Sequence, residues 1–480
     1  MSPAPTTDGD ALWRWSATRL ARAIKDKEIS SVEAVTSSLE RIEAVNPRLN
    51  ALPEVMADEA IGAAKKADQL TLDRNAMLGP LHGVPLATKV NSDQLGHATT
   101  DGLVALADDI SPVDSPQVAH VRSAGGIIVG RSNSPAFSYR WFTTNDVHGK
   151  TLNPWHPGHT PGGSSGGAAS AIASGMVPVA QGNDIGGSIR HPAFACGVVG
   201  LRPTVGRVAG TLGPRDMDAT PSVQLMCVDG PLGRCVDDLR LGLQAMAGFD
   251  PRDPVSVPPT SRALEPTRPM RIGVLRGSPV ATLTSAVEAS LEQAATWLEE
   301  AGYELEEVEL PQLEEAYRLW WLLCLEDFRL VMPLVEQLGD SAIRKAAEHY
   351  YAVAAEWWGT QPDIETYIRG YARRGTLIRE LQQALESHPA VLLPVSAEQA
   401  FEQDADISSV ERARQVIAAQ YSMMAIPLLG FPALSVPTGV TGGLPTGVQL
   451  LGRRFDEELL LNVGATIEAR AGHLTPIDPR

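Results

Sequence analysis

The chain has 480 residues, 44% of them hydrophobic and 5% aromatic, with a formal net charge of −17. That length can bury an extensive core, while the acidic balance disfavours unassisted binding to nucleic acid or to an anionic membrane. No apolar run approaches the ~18 residues that span a bilayer, and Met1 to Asp10 has neither a basic start nor an apolar stretch, so no secretory signal and no membrane partner are expected and cytoplasmic residence is the default.

Residues 11–70 read as helical, because Leu20, Ile24, Val32, Val35, Leu39 and Ile42 recur near helical spacing. Residues 80–250 alternate short apolar strands, Ile127-Ile128-Val129 among them, with helices. Within this region Thr160-Pro161-Gly162-Gly163-Ser164-Ser165-Gly166-Gly167 opens a helix of small residues, Ala168 to Ser174, which stops at Gly175. Met176 to Ala180 is apolar and strand-like, and it leads to Gly182-Asn183-Asp184-Ile185-Gly186-Gly187-Ser188-Ile189-Arg190. Ser164 therefore opens a helix, Ser188 follows a strand, and Ser165 is placed to cap the helix. After the proline-rich stretch Pro251 to Pro269, Arg271 to Leu275 supplies another strand. Such alternation indicates an α/β body with a mixed sheet.

Residues 311–388 differ in character. Tyr317, Trp320, Trp321, Phe328, Tyr350, Tyr351, Trp357, Trp358, Tyr367 and Tyr371 concentrate there, which suggests a helical cap facing a bulky hydrophobic substrate. For any one of these rings taken singly, ordinary helix-to-core packing is the better reading.

A serine in a glycine-rich turn is usually only a turn former. Two such turns flanking one helix are less ordinary. Glycine adopts positive φ cheaply and has no Cβ, so the Gly186-Gly187 turn lets bare backbone amides converge where an oxyanion would be held. The paired motifs resemble those of the amidase signature family, serine hydrolases that cleave carboxamides. The likeness continues in Gly83-Val84-Pro85-Leu86-Ala87-Thr88-Lys89, in Cys196-Gly197-Val198-Val199-Gly200-Leu201-Arg202-Pro203-Thr204, in Gly430-Phe431-Pro432-Ala433-Leu434-Ser435-Val436-Pro437 and in Pro445-Thr446-Gly447-Val448-Gln449-Leu450. It covers roughly residues 10–250 and 390–470 in the family's order, and an ordered set is far more specific than one glycine motif.

The resemblance implies a single domain over 1–480: an N-terminal helical wrap (11–70), a signature core (80–250), a helical substrate cap (311–388) and a return to the core sheet (389–470). Its fold is a mixed central β-sheet covered by helices on both sides. The family's roles carry over to Ser188 as nucleophile, Ser164 as bridging serine on a cis peptide bond, and Lys89 as base. The amides of Ile185, Gly186, Gly187 and Ser188 are implied as the oxyanion hole, Asp184 with Arg190 as a supporting ion pair, and Tyr317, Trp320 and Trp321 as candidates for the pocket. Two departures stand out: Val90 follows the lysine where aspartate is common, and Asn183 replaces a common threonine.

The chemistry is consistent with those roles. A serine hydroxyl is a poor nucleophile unless a neighbour takes its proton. Lysine can do so only when neutral, which requires its pKa to fall from about 10.4. The apolar run Val84 to Ala87 leads straight into Lys89, so a desolvated setting is expected. The implied substrates are small-molecule hydrophobic or aromatic amides, with esters and carbamates (urethanes) within reach of the same machinery. The alternative is the glutamine-hydrolysing subunit of a tRNA-dependent amidotransferase.

Two other motif readings fail on context. Gly162-Gly163-Ser164-Ser165-Gly166 fits the G-x-S-x-G nucleophile elbow, with His473 as a late histidine, but a proline-rich loop precedes it where an apolar strand is required. Gly149-Lys150-Thr151 lacks the earlier glycine of a phosphate loop, since Thr144 stands there. Cys196, Cys227, Cys235 and Cys324 have neither disulfide nor metal spacing and read as reduced and mostly buried. His156 and His159 lie in a proline-rich loop, so no metal and no cofactor are expected. A homodimer is compatible with the sequence.

Overall fold

A computed structural model describes residues 11–210, 217–258 and 270–480. The expectation for Met1 to Asp10, and most of that for the proline-rich stretch up to Pro269, lie outside these residues. The strands, in chain order, are Glu54–Val55 (β1), Pro85–Lys89 (β2), Ile127–Ser132 (β3), Val179–Asp184 (β4), Val199–Arg202 (β5), Val228–Gly233 (β6), Arg271–Val274 (β7), Glu304–Glu307 (β8), Ala390–Pro394 (β9), Ala433–Thr441 (β10) and Leu444–Gly452 (β11). Among the described residues they form one sheet in the order β1-β3-β2-β4-β6-β5-β10-β11-β9-β7-β8. β2 runs parallel to both β3 and β4, β7 runs parallel to β8 and β9, and the remaining pairs are antiparallel. This is the mixed α/β sheet that the alternating pattern predicts.

Alternation along the central strands divides the core. Leu86, Ile128 and Val179 join an apolar cluster with Leu239, Leu291 and Leu460 from the helices Val236–Met246, Ser285–Glu300 and Glu457–Ala471. Their neighbours Ala87, Ile127, Val129 and Ala180 join a second cluster with Val35, Ala64, Ala168 and Ile172, from the helices Ser31–Leu49, Ala57–Leu72 and Gly166–Ala173. Successive strand residues point to opposite faces, so helices cover both sides of the sheet. Helices Ala17–Lys25, Ser31–Leu49 and Ala57–Leu72 occupy the stretch read as helical, with the short strand β1 between the last two.

Two boundaries differ from the sequence reading. Strand β4 begins at Val179 and continues to Asp184, well past the expected Ala180. Pro178 has no N–H to pair, and the polar end Gln181 to Asp184 stays in register with Pro231 to Val228 of β6. Ser165 stands at the N-cap position but caps nothing: its φ/ψ of −91/35 is not the extended conformation of a capping serine, and its buried Oγ has no partner among the described residues.

Four helices, Pro311–Arg329, Met332–Leu338, Ser341–Trp358 and Ile364–Ser387, make up the aromatic segment. Pro311–Arg329, Ser341–Trp358 and Ile364–Ser387 pack as a third apolar cluster with the helix Tyr421–Leu429, while Met332–Leu338 packs through Val335 against Leu103, Ala136 and Ile343. Among the described residues no helix is long and apolar enough to cross a membrane.

Candidate active site

The carboxyl ends of the parallel strands β2, β3 and β4 converge at Lys89, Ser132 and Asp184, the usual place for a ligand site in such a sheet. All five residues of β2 are buried, so its apolar run carries Lys89 into the interior. Its backbone is fixed there, because Lys89 N–H donates to Gln181 Oε1 (2.9 Å) and the neighbouring Ser92 carbonyl accepts from buried Arg131 Nη2 (2.6 Å). The ammonium end of Lys89 is fully buried, with Nζ 2.6 Å from Ser164 Oγ and 2.7 Å from Asn183 Oδ1. Burial lowers its pKa to about 8, against the opposing pull of Asp101, Cys227, Asp229 and Asp184.

Ser164 reaches Lys89 because the turn before it is free of side chains. Gly162 has φ +82, and a Cβ on Gly163 would run into the Arg140 carbonyl. The Gly163-Ser164 peptide bond is cis. Ser165 N–H then donates to the Ser188 carbonyl at 3.2 Å, which ties this turn to the loop after β4. Ser188 is buried except for 7% of its surface. The structure thus joins Lys89 and Ser164 directly and places Ser188 beside them, with no hydrogen bond from the Ser188 hydroxyl to Ser164.

The loop Ile185 to Ser188 is held from two sides. On one side Asp184 accepts from Gly187 N–H (2.9 Å), Ile189 N–H (3.2 Å) and both Nε and Nη2 of Arg190 (3.0 Å each), with Arg202 Nη1 at 3.4 Å. Burial alone would raise the Asp184 carboxyl, but the two guanidinium groups hold it down at about 2. On the other side two indoles donate to loop carbonyls: Trp320 Nε1 to Ile185 O and Trp141 Nε1 to Gly186 O, each at 2.8 Å. In a trans peptide the carbonyl and the following N–H point in opposite directions. Anchoring the Ile185 carbonyl therefore turns the Gly186 amide away from Trp320.

These bonds correct part of the expected oxyanion hole. Gly187 N–H is committed to Asp184 and is not available to a substrate oxygen. The amides of Ile185, Gly186 and Ser188 have no protein acceptor among the described residues, so they remain as donors. The pocket candidates divide in the same way. Tyr317 is 1% exposed, with its ring against Trp357 and Tyr421, and Trp321, also 1% exposed, packs against Trp141 and Tyr350. Both are core residues, and neither is hydrogen-bonded to the loop Ile185 to Ser188, although Trp321 borders a cavity with Leu325, Tyr351 and Trp358. Trp320, half-buried, is the one that reaches the loop, with its ring edge so close to Gly186 that an added Cβ would lie 3.1 Å from Cζ2.

Sequence reasoning misses Asn183 as a direct partner of Lys89, and it misses Trp141 altogether. A tryptophan that donates to a backbone carbonyl leaves no motif, whereas Asn183 stands inside a recognisable one and marks itself only by replacing a common threonine. His473 and Lys150, from the two motif readings that fail, pair with Glu468 (3.8 Å) and Asp404 (2.6 Å) instead. Among the described residues no group of three or more His, Cys, Asp or Glu side chains is placed to hold a metal ion. The four cysteines are free, three of them buried and Cys227 half-buried.

A family model described as Amidase matches residues 33–461. The chain belongs to the amidase signature family, and it is an amidase-type hydrolase acting on amide carbon–nitrogen bonds. It is 38% identical to an indoleacetamide hydrolase of Bradyrhizobium diazoefficiens over 96% of this chain and 88% of that protein. It is also 33% identical to a glutamyl-tRNA(Gln) amidotransferase polypeptide of Moorella thermoacetica, over 95% of this chain and 96% of that one. Among solved structures, a bacterial aryl acylamidase of the amidase signature family superposes with a TM-score of 0.80 at 26% identity, covering 95% of this chain and 96% of the other. In this amidase the mixed sheet and its flanking helices are those of the family fold.

Proposed function

We propose that this amidase is a serine amidohydrolase that forms an acyl-enzyme on Ser188, with Ser164 passing the proton to Lys89. The observation that carries the proposal is the 2.6 Å contact between Lys89 Nζ and Ser164 Oγ, beside a loop whose open amides flank Ser188. A neutral lysine at that distance can accept the Ser164 proton while Ser164 accepts that of Ser188. The Ser188 hydroxyl is to reach Ser164 in the substrate complex, since such catalytic contacts often close only when substrate is bound. Ser188 Oγ then adds to the amide carbonyl, and the amides of Ile185, Gly186 and Ser188 receive the developing oxyanion. The proton returns from Lys89 through Ser164 to the leaving nitrogen, because an amine anion cannot leave. Water releases the acyl group by the same steps in reverse order.

We assign an aromatic amide as the substrate class. Its support is the half-buried face of Trp320 beside the loop and the 38% identity to an indoleacetamide hydrolase. Esters and carbamates offer the same carbonyl. From a carbamate the same attack would release alcohol and amine, with loss of carbon dioxide.

The test is a substrate panel on the purified chain: an arylacetamide, an anilide, an aliphatic amide, an ester, a carbamate and glutamine, with quenched samples analysed by mass spectrometry. Arylacetamide turnover without ATP, tRNA or a second protein is expected, with an acyl adduct on the Ser188 peptide that Ser188→Ala abolishes. Glutamine as the sole substrate consumed would favour the amidotransferase reading instead, and undiminished turnover by Ser188→Ala would overturn the mechanism.

A further inference from the structure

The hydrogen bonds of Lys89 do not end at Asn183. Lys89 Nζ donates to Asn183 Oδ1 (2.7 Å), Asn183 Nδ2 to Asn91 Oδ1 (3.1 Å), Asn91 Nδ2 to Ser138 Oγ (2.9 Å) and Ser138 Oγ to Asp101 Oδ1 (2.8 Å). Ser138 Oγ also meets Ser134 Oγ at 3.0 Å. From Lys89 onward every donor points the same way, starting at an amine and ending at a carboxylate. Two carboxamides in the middle cannot hand a proton along, but bonds aligned in one direction polarise one another and carry the influence of the end charge.

The backbone holds this chain in place by unusual means. Asp101, Phe137 and Ser138 have φ of 42°, 54° and 53°, in the left-handed region that residues with a Cβ rarely occupy. Phe137 N–H donates to the Asp101 carbonyl (2.9 Å), and a Cβ on Gly102 would lie 2.8 Å from Ala136 N, so the two turns are pressed together. That contact is what sets Ser138 against Asp101.

Four acidic groups face Lys89: Asp101, Cys227, Asp229 and Asp184. They are not equivalent. Asp184 is neutralised by Arg190 and Arg202. Burial pushes the Cys227 thiol up to about 12, and Asp229, raised by burial to about 7, is taken up by Gln181 Nε2 at 2.6 Å. Asp101 has no arginine or lysine ion-pair partner among the described residues, and its half-buried carboxyl is lifted to about 6 by the water it loses, so it is largely ionised at neutral pH.

We propose that Asp101 is a positioning residue for the lysine base: through Ser138, Asn91 and Asn183 it aims Lys89 and stabilises the ammonium that forms when Lys89 takes the proton of Ser188. This rests on the assignment of Lys89 as base. Neither the Asp101 turn nor Ser138 touches the reacting atoms, so the effect passes entirely through Lys89.

The test is the pH profile of kcat/KM for Asp101→Asn beside the unaltered enzyme. Removing the negative charge makes the ammonium less stable, so Lys89 becomes neutral at lower pH while also becoming a weaker base. The acidic limb is expected to move down by about one pH unit, and the alkaline plateau of kcat to fall about tenfold or more, with KM little changed. Ser138→Ala is expected to shift both in the same direction by less, and it decides the matter if Asp101→Asn fails to fold. A lowered plateau with an unmoved limb would mean a merely structural role and would overturn the proposal. Lys89→Ala is assayed in parallel. If Lys89→Ala stays active, the base assignment itself falls; if it is inactive while the Asp101→Asn limb is unmoved, only the role of Asp101 falls.

Discussion

In the core, between β2 and β4, the site is made of backbone turns and short polar side chains whose places are set by glycines, whereas the helical segment 311–387 brings ten aromatic rings, of which Trp320 alone is hydrogen-bonded to the loop Ile185 to Ser188 among the described residues. The difference is one of what each region has to satisfy. A lysine at the end of a buried strand must find partners for its amine, so its surroundings are specified atom by atom. A segment of four helices needs mainly volume filled, and Tyr317, Trp321 and Tyr350 do that. Polar order in the core and apolar filling in the helices meet at the loop, which is bonded to Asp184 from one region and to Trp320 from the other.

The largest effect is expected in the core. Ser188→Ala should lower kcat by about 10⁴-fold or more, since removal of a nucleophile abolishes the covalent route. Lys89→Ala should cost about 10²–10⁴-fold, the usual contribution of a positioned base, with Ser164→Ala losing less than Ser188→Ala. Single-turnover assays with an arylacetamide would read these losses in the acylation step. A Lys89→Ala enzyme with an undiminished rate would break the account of the core.

The pH dependence should follow the burial of Lys89. Its pKa of about 8 lies below that of a free lysine because burial disfavours the charged form. Activity requires the neutral amine, so kcat/KM should rise as pH climbs through the region of 8 and level off above it. A rate that stays flat down to pH 5 would contradict a lysine base.

How much of this the sequence carries follows the same division. Lys89, Ser164 and Ser188 could be singled out because their motifs resemble the family's, and those motifs carry glycines that a turn requires, such as Gly162 with φ +82 and Gly187 with φ +93. The α/β sheet is legible from the alternation of short strands with helices. Asp101 and Ser138 are not, because polar residues in turns look alike and these two meet across 37 positions of chain. Ser165 misleads for a physical reason: its amide is bonded to the Ser188 carbonyl, and that backbone conformation turns its side chain away from the helix it precedes. The rings of the helical segment show a cluster in the sequence without showing which of them faces the loop.

Trp320 and Trp321 sharpen that last point, since they are neighbours on one helix with opposite duties. Trp320→Phe keeps an aromatic ring near Gly186 but removes the donor to the Ile185 carbonyl, leaving the Gly186 amide free to swing. One hydrogen bond of about 1 kcal/mol corresponds to a fall in kcat of roughly five- to tenfold, with the melting temperature nearly unchanged. Trp321→Phe should leave catalysis unchanged and act on stability alone: its indole N–H is buried without a partner among the described residues, so the phenyl ring gives up some volume but no hydrogen bond. Removing an unsatisfied donor offsets part of the lost packing, and the stability change should stay within about 1.5 kcal/mol, against about 3–5 kcal/mol for Trp321→Ala, which leaves a cavity. Thermal unfolding and steady-state assays on the same samples would separate the two positions, and a Trp321→Phe enzyme slower than Trp320→Phe would show that the helical segment acts on the loop through Trp321 and that the Ile185 hydrogen bond is dispensable.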